Sequence, residues 1–276
     1  MIRSLQSKIQ NLKSKSPMTE PFQHINFQFA DRIARIELAR PPLNIMTIAM
    51  MGEINQALEQ TEREHGVCAV LFAAAAGSRA FSAGVDIGEH RAETVYRMLE
   101  SFHDIFRGLN ALGKPVVAAV DGAALGGGCE LVSFADIVIA TDRATFAQPE
   151  IKVGAFPPFA AVFLPQVIGP KRAAEMIFTG AQLSARTAAA WGLVNHVVPS
   201  DQLAAKTEEV LQGLRGMSAA SLEMARRALH MNSTLDFREA LPRVERLYLE
   251  QLMSLEDAEE GIAAFSEKRK PTWRDK

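Results

Sequence analysis

The residues of this chain best equipped for chemistry are the run Ala124-Leu125-Gly126-Gly127-Gly128-Cys129-Glu130 and, twenty positions after its glutamate, Gln148-Pro149-Glu150. Three consecutive glycines leave their backbone N–H groups unshielded, and they lead into an apolar, helix-compatible stretch from Cys129 to Ala135. A glycine turn that opens a helix offers unpaired N–H donors at the positive end of the helix dipole, a site for a negative oxygen. Glu130 follows Gly127 by three residues and so shares nearly the same helical face. A carboxylate beside an oxyanion-binding turn is suited to proton transfer next to an activated carbonyl. Three glycines alone read better as a tight turn packing a helix on a strand. The second glutamate and the motifs below favour the chemical reading.

The elements that must position these residues follow from the apolar pattern. Ile25, Phe27 and Phe29 alternate with polar residues, as do Ala34, Ile36 and Leu38 after Asp31-Arg32, which predicts a hairpin. Ile48 to Glu62 reads as an amphipathic helix with Met51, Ile54 and Leu58 on one stripe, and Val67 to Phe72 as a buried strand. A long helix is expected over Ala92 to Leu112, its stripe containing Val95, Met98, Phe102, Ile105 and Leu109. Val116 to Val120 is the buried strand that feeds the glycine turn. Asp136 to Ala140 is another strand, and Phe146 to Glu150 an edge strand ending at proline. Alternating strands and helices imply an α/β fold with helices packed on a sheet. Residues 201–268 carry only helical patterns, so the expected organisation is a core over 18–200 and a helical region over 201–276.

With 276 residues, 48% of them hydrophobic and 22% charged, the chain has an ordinary globular composition. A net charge of −2 makes no electrostatic case for a nucleic acid or an anionic membrane surface. Two cysteines, Cys68 and Cys129, both in apolar surroundings, suit a reducing compartment rather than a disulfide framework. The six histidines are scattered without zinc-site spacing, so no metal is expected, and no stretch reaches the ~18 apolar residues of a membrane span. Residues 1–17 hold Arg3, Lys8, Lys13 and Lys15 and no acid, with Ile2, Leu5, Ile9 and Leu12 at helical spacing. They read as a disordered basic extension or the product of an upstream start before Met18, with an organelle transit peptide as the alternative. A cytoplasmic location is expected on the first reading and the mitochondrial matrix on the second.

Several motifs in order carry a resemblance: Ala80-Phe81-Ser82-Ala83-Gly84-Val85-Asp86-Ile87, Lys114-Pro115-Val116-Val117-Ala118-Ala119-Val120-Asp121-Gly122, the glycine turn with Glu130, and Phe146-Ala147-Gln148-Pro149-Glu150. Thr179-Gly180, Ala190-Trp191-Gly192-Leu193-Val194 and Ala264-Phe265-Ser266-Glu267-Lys268-Arg269 follow. Together they resemble the enoyl-CoA hydratase/isomerase superfamily, the crotonases, from about Phe22 to Trp273. The resemblance implies an α/β spiral of stacked ββα units with a C-terminal helical trimerisation region, assembled as a homotrimer or as a hexamer of two trimers. It implies an acyl-CoA thioester substrate whose enolate is held by the backbone N–H groups of Val85 and Gly127. Glu130 and Glu150 match the two glutamates that flank the C2–C3 double bond, the first assigned to the water and the second to C2. Coenzyme A enters as part of the substrate, and no separate cofactor is implied.

Ala83, Asp86 and Ile87 match the loop that contacts the adenine. Phe265 and Lys268 match residues that close over the nucleotide from a neighbouring subunit. The chain departs from the ordinary hydratases after Glu150, where a glycine-rich turn gives way to Gly154-Ala155-Phe156-Pro157-Pro158-Phe159. Phe156, Pro158 and Phe159 either line the acyl pocket, where flat faces would suit a cyclic acyl group, or serve as core packing. The former arrangement, with Pro41-Pro42-Leu43-Asn44, resembles the hydratases of cyclic dienoyl-CoA. Other crotonase chemistries, such as double-bond isomerisation or ring-opening hydrolysis, and a non-enzymatic RNA-binding or scaffolding role remain the alternatives. No lysine occurs between Pro41 and Gly113, which disfavours the RNA-binding role.

Overall fold

The computed structural model describes residues 22–231 and 236–276. The basic extension over residues 1–17, with its two alternatives, lies outside them. Two sheets organise the core. The first has six strands in the order β1 (Ile25–Ala30), β2 (Ile33–Leu38), β3 (Ala69–Ala74), β5 (Val116–Val120), β7 (Ile137–Thr141) and β10 (His196–Val198). β1 and β2 form the expected antiparallel hairpin, with Asp31 and Arg32 at positive φ in its turn, and the remaining neighbours are parallel. β5 is buried at every position, as a parallel strand covered on both faces must be.

The second sheet is smaller, ordered β4 (Ala80–Ser82), β6 (Ala123–Leu125), β8 (Thr145–Ala147) and β9 (Leu183–Ser184). Its first three strands are parallel, and β9 joins antiparallel to β8. The chain thus alternates between the sheets: β3 then β4, β5 then β6, β7 then β8. A helix follows each pair, respectively α2 (Val95–Leu112), α3 (Gly127–Phe134) and α4 (Pro158–Ile168), while α1 (Ile48–Arg63) precedes the first pair. These three stacked ββα turns are the expected spiral. One expectation needs correction. The strand foreseen over 146–150 stops at Ala147 and is flanked on both sides, and Pro149 to Val153 form a 3-10 turn that carries Glu150. Proline has no N–H to continue a ladder, which ends the strand there.

α2 buries Met98, Phe102, Ile105, Phe106, Leu109 and Leu112 and ends at Gly113 in the left-handed conformation. α5 (Pro170–Thr179) precedes β9, and beyond it come α6 (Ala185–Trp191), α7 (Leu203–Arg215), α8 (Ala219–His230), α9 (Phe237–Glu250) and α10 (Glu256–Ser266). Leu211 of α7 and Ala219 of α8 are buried with Ile33, Cys68, Leu71, Val117 and Ile139, covering one face of the large sheet. α8 is also tied to the core by charge: Arg226 Nε donates to Asp136 Oδ2 at 2.7 Å, and His230 Nε2 lies 2.6 Å from Asp136 Oδ1. No helix among the described residues is long and apolar enough to cross a membrane.

Candidate active site

The two motifs singled out by chemistry and the segment marked by the resemblance all follow strands of the small sheet. Ala83-Gly84-Val85 leaves β4, Gly126-Gly127-Gly128 leaves β6, and Gln148-Pro149-Glu150 leaves β8. Because these strands are adjacent and parallel, their ends bring segments some 40 and 20 residues apart in sequence onto one edge. The approach is close. Gly84 sits at φ +99°, and a Cβ there would lie 2.9 Å from the Leu125 carbonyl oxygen and 3.5 Å from the Gly127 nitrogen. Only glycine lets the two turns meet.

Two N–H groups are freed by this geometry. Met46 bridges Val85 in parallel, donating to Gly84 O at 2.8 Å and accepting from the Asp86 N–H at 2.9 Å, so the Val85 N–H stands outside the ladder. Gly127 is the first residue of α3, and its N–H has no acceptor one turn back. A Cβ on Gly127 would meet Val85 Cγ2 at 2.8 Å, Phe102 Cζ at 3.0 Å and Met46 Cε at 3.1 Å. The two donors that the resemblance implies therefore stand beside each other, in an apolar surround.

Glu130, in the first turn of α3, is 3% exposed. Its Oε1 accepts the Ala160 N–H at 2.7 Å, and the Phe159 N–H also stabilises its charge. Both donors belong to the first turn of α4, which opens on Pro158. Proline at that position gives up no useful N–H, so the first donors the helix possesses serve Glu130. Burial nevertheless dominates: loss of solvation, reinforced by the charge of Glu150, pushes the Glu130 carboxyl up to about 8. Glu150 is likewise pushed upward by burial. Its Oε2 is buried with no hydrogen-bond partner among the described residues, and its Oε1 lies 2.6 Å from where a Cβ on Gly126 would stand. Glycine at φ +50° thus makes room for the second carboxylate as well.

Gln148 is a residue that the sequence reading quoted but gave no role. It is fully buried, and neither its Oε1 nor its Nε2 has a partner among the described residues. A buried amide with both ends unmet needs a small hydrogen-bonding occupant between itself and its neighbours. The only signal for it in the sequence was its place two residues before Glu150.

The proline-rich segment divides. Phe159 is half-buried, and its ring stacks on Phe106 at 3.7 Å with 9° between planes, next to Phe134 and Phe163. Phe156 is 64% exposed, and Pro158 opens the helix. Phe159 therefore packs as core aromatics do while keeping part of its surface outside the cluster, whereas Phe156 packs in no core.

The residues expected to contact CoA are arranged differently from one another. Ala83 is half-buried, its N–H donating to Leu43 O at 2.8 Å, and Ile87 is exposed. The Asp86 side chain accepts the Gly88 N–H at 2.8 Å and caps the 3-10 turn Ile87–Glu89. Phe265 is 87% exposed on the last turn of α10, and Lys268, at φ +56°, is exposed just beyond it.

Comparison with known proteins gives a consistent picture. The sequence model of the family described as enoyl-CoA hydratase/isomerase matches residues 28–276. A probable mitochondrial enoyl-CoA hydratase of Dictyostelium discoideum is 35% identical over 252 residues, covering 89% of this chain and 88% of the relative. The cyclohexa-1,5-dienecarbonyl-CoA hydratase of Thauera aromatica is 34% identical over 244 residues, covering 88% and 93%. A crystal structure of an enoyl-CoA hydratase from Bacillus anthracis superposes with a TM-score of 0.86 at 30% identity, covering 92% of this chain and all of that one.

Proposed function

The chain belongs to the enoyl-CoA hydratase/isomerase family, and from that premise we propose that it is an enoyl-CoA hydratase. It adds water across the C=C bond conjugated to the thioester carbonyl of an acyl-CoA. The observation that carries this reading is a pair of glutamates, Glu130 buried and Glu150 half-buried, both with pKa raised by burial, set beside two unpaired backbone N–H groups.

The chemistry follows from those groups. The Val85 and Gly127 N–H groups hold the thioester oxygen, and they stabilise it more as the enolate charge develops there. Each such donor is worth roughly 10²–10³ in rate. Burial and mutual repulsion keep one proton on the Glu130–Glu150 pair at neutral pH. Water held between the carboxylates loses a proton to the pair as its oxygen bonds C3, and the pair delivers a proton to C2. The pair ends as it began, and neither electrons nor a cofactor are exchanged. Following the family pattern, Glu130 holds the water and Glu150 faces C2. The unmet amide of Gln148 supports a water site here. An isomerase needs to move only one proton, and two raised carboxylates favour hydration over it.

For the acyl group, the Phe106–Phe159 stack and the 34% identity to a cyclic dienoyl-CoA hydratase favour a flat conjugated ring, although relatives named for ordinary enoyl-CoA hydration are just as similar. The CoA moiety is assigned to the loop of Ala83, Asp86 and Ile87. Phe265 and Lys268 close over it from a second copy in a trimer or a pair of trimers, which accounts for the exposure of Phe265 in a single chain. Hydration of crotonyl-CoA, cyclohexenoyl-CoA and cyclohexadienoyl-CoA, followed by mass spectrometry, tests both levels. Failure to hydrate any of the three removes the hydratase reading. A tenfold preference for crotonyl-CoA removes only the ring.

A further inference from the structure

α2 carries a buried polar group for which this reaction has no use. His103 Nε2 is buried and has no hydrogen-bond partner among the described residues. Its neighbours on the helix place it. Phe102, one residue earlier, puts Cζ 3.0 Å from the point where a Cβ on Gly127 would stand. Phe106, three residues later, stacks on Phe159 of α4. With successive residues 100° apart, His103 falls on the flank of α2 that continues past Phe106, opposite the side where Ser101 and Gly108 meet Asn55 and Leu58 of α1. The His103 and Phe102 ring centroids are 6.0 Å apart. These separations keep the imidazole within about 10 Å of the oxyanion turn, a span that an acyl chain of medium length covers.

Burial, with the Arg107 guanidinium nearby, holds the His103 pKa below its ordinary value, so the ring is neutral at pH 7. A neutral imidazole nitrogen left unpaired inside a protein carries a desolvation cost that a ligand's polar atom would remove. The ring beside it, Phe102, offers no such atom. We propose that His103 is a specificity residue whose Nε2 pairs with an oxygen on the acyl group, so that an enoyl-CoA bearing a hydroxyl or oxo substituent, on a chain or a ring, is preferred to the plain hydrocarbon.

This inference rests on the hydratase reading, and its test separates the two. Two enoyl-CoA thioesters of equal carbon number are compared, one plain and one with a hydroxyl on the fifth, sixth or seventh acyl carbon. The wild-type protein, H103L and H103Q are assayed for kcat and KM separately, with thermal melts as the folding control. The wild type is expected to favour a hydroxylated substrate by about tenfold or more in kcat/KM, chiefly through KM. H103L is expected to lose that preference, and H103Q, which keeps a donor and an acceptor, to retain part of it. An unchanged preference in H103L, or a wild type that prefers the plain chain, overturns the proposal and leaves a trapped water as the partner of Nε2. A wild type that hydrates neither substrate overturns the hydratase reading as well.

Discussion

The glycine edge proposed for catalysis and the aromatic wall beside it are built on opposite principles. At the edge, the work is assigned to backbone: Gly84, Gly126 and Gly127 let three chain segments approach so closely that a single added Cβ would collide with a carbonyl oxygen, a carboxylate or packed side chains. The wall is made of side chains, with Phe106, Phe134, Phe159 and Phe163 meeting at ring distances of 3.7 to 5.9 Å. Backbone geometry is all-or-none, whereas aromatic packing degrades by degrees. The edge should therefore be intolerant of small changes and the wall tolerant of larger ones.

The largest effect is expected from Gly127→Pro, which deletes one oxyanion donor and adds bulk against Val85 and Phe102. Turnover should fall by more than ~10³-fold. Val85→Ala, which keeps its N–H, should retain most activity in the same steady-state assay, and an equal loss in both variants would break the backbone argument. Next come Glu130→Gln and Glu150→Gln. Each should lower kcat by ~10²-fold or more while acyl-CoA binding, followed by calorimetry, survives. Near-wild-type turnover in either would take that residue out of the proton transfer.

A pH signature sharpens the contrast. Glu130 holds its proton up to about 8 in the folded chain and only to the ordinary carboxylate range when unfolded. Its contribution to stability is complete below the unfolded pKa, declines as pH rises between the two values, and is constant above about 8. Glu130→Gln removes that decline. Denaturant melts should then show the variant gaining a few kcal/mol on the wild type between pH 5 and pH 9. A constant difference between the two proteins would mean that the carboxyl is not held protonated. Activity should also fall as pH rises past about 8, when the pair loses its shared proton.

The smallest effect is expected at the wall. Phe159→Ala loses a stacked partner of Phe106 but, being half-buried, should cost no more than about 2–3 kcal/mol in a thermal or chemical melt. Its kcat on a straight-chain substrate should change less than tenfold, and a ring substrate should suffer more. A loss as large as that of the glutamate variants would show that the wall positions Glu130 through the α4 N–H groups.

Much of the edge was legible in sequence because its chemistry depends on residue types that leave few options. Three glycines before a helix, a glutamate three residues on and a second after a Gln-Pro pair constrain the backbone wherever they occur. The hairpin at Asp31-Arg32, the stripe of α2 and the strand Val116–Val120 were readable for a related reason: each is set by local periodicity. The strand over 146–150, read as an edge strand ending at its proline, stops at Ala147 because Pro149 cannot donate to a ladder, and its two flanking neighbours were not legible because pairing order is set by long-range packing.

What the sequence determined by itself is the chemistry available: free N–H donors at glycine turns, two carboxylates, and an α/β alternation to carry them. Tertiary structure decided what those groups became. Adjacency of β4, β6 and β8 brought the Val85 and Gly127 N–H groups together, since pairing order in a sheet is set by long-range packing that no local pattern encodes. The first turn of α4 supplied the partners of Glu130, and burial raised both carboxyl groups. The unmet nitrogen of His103 also emerged only there, because solvation is lost to neighbours distant in the chain.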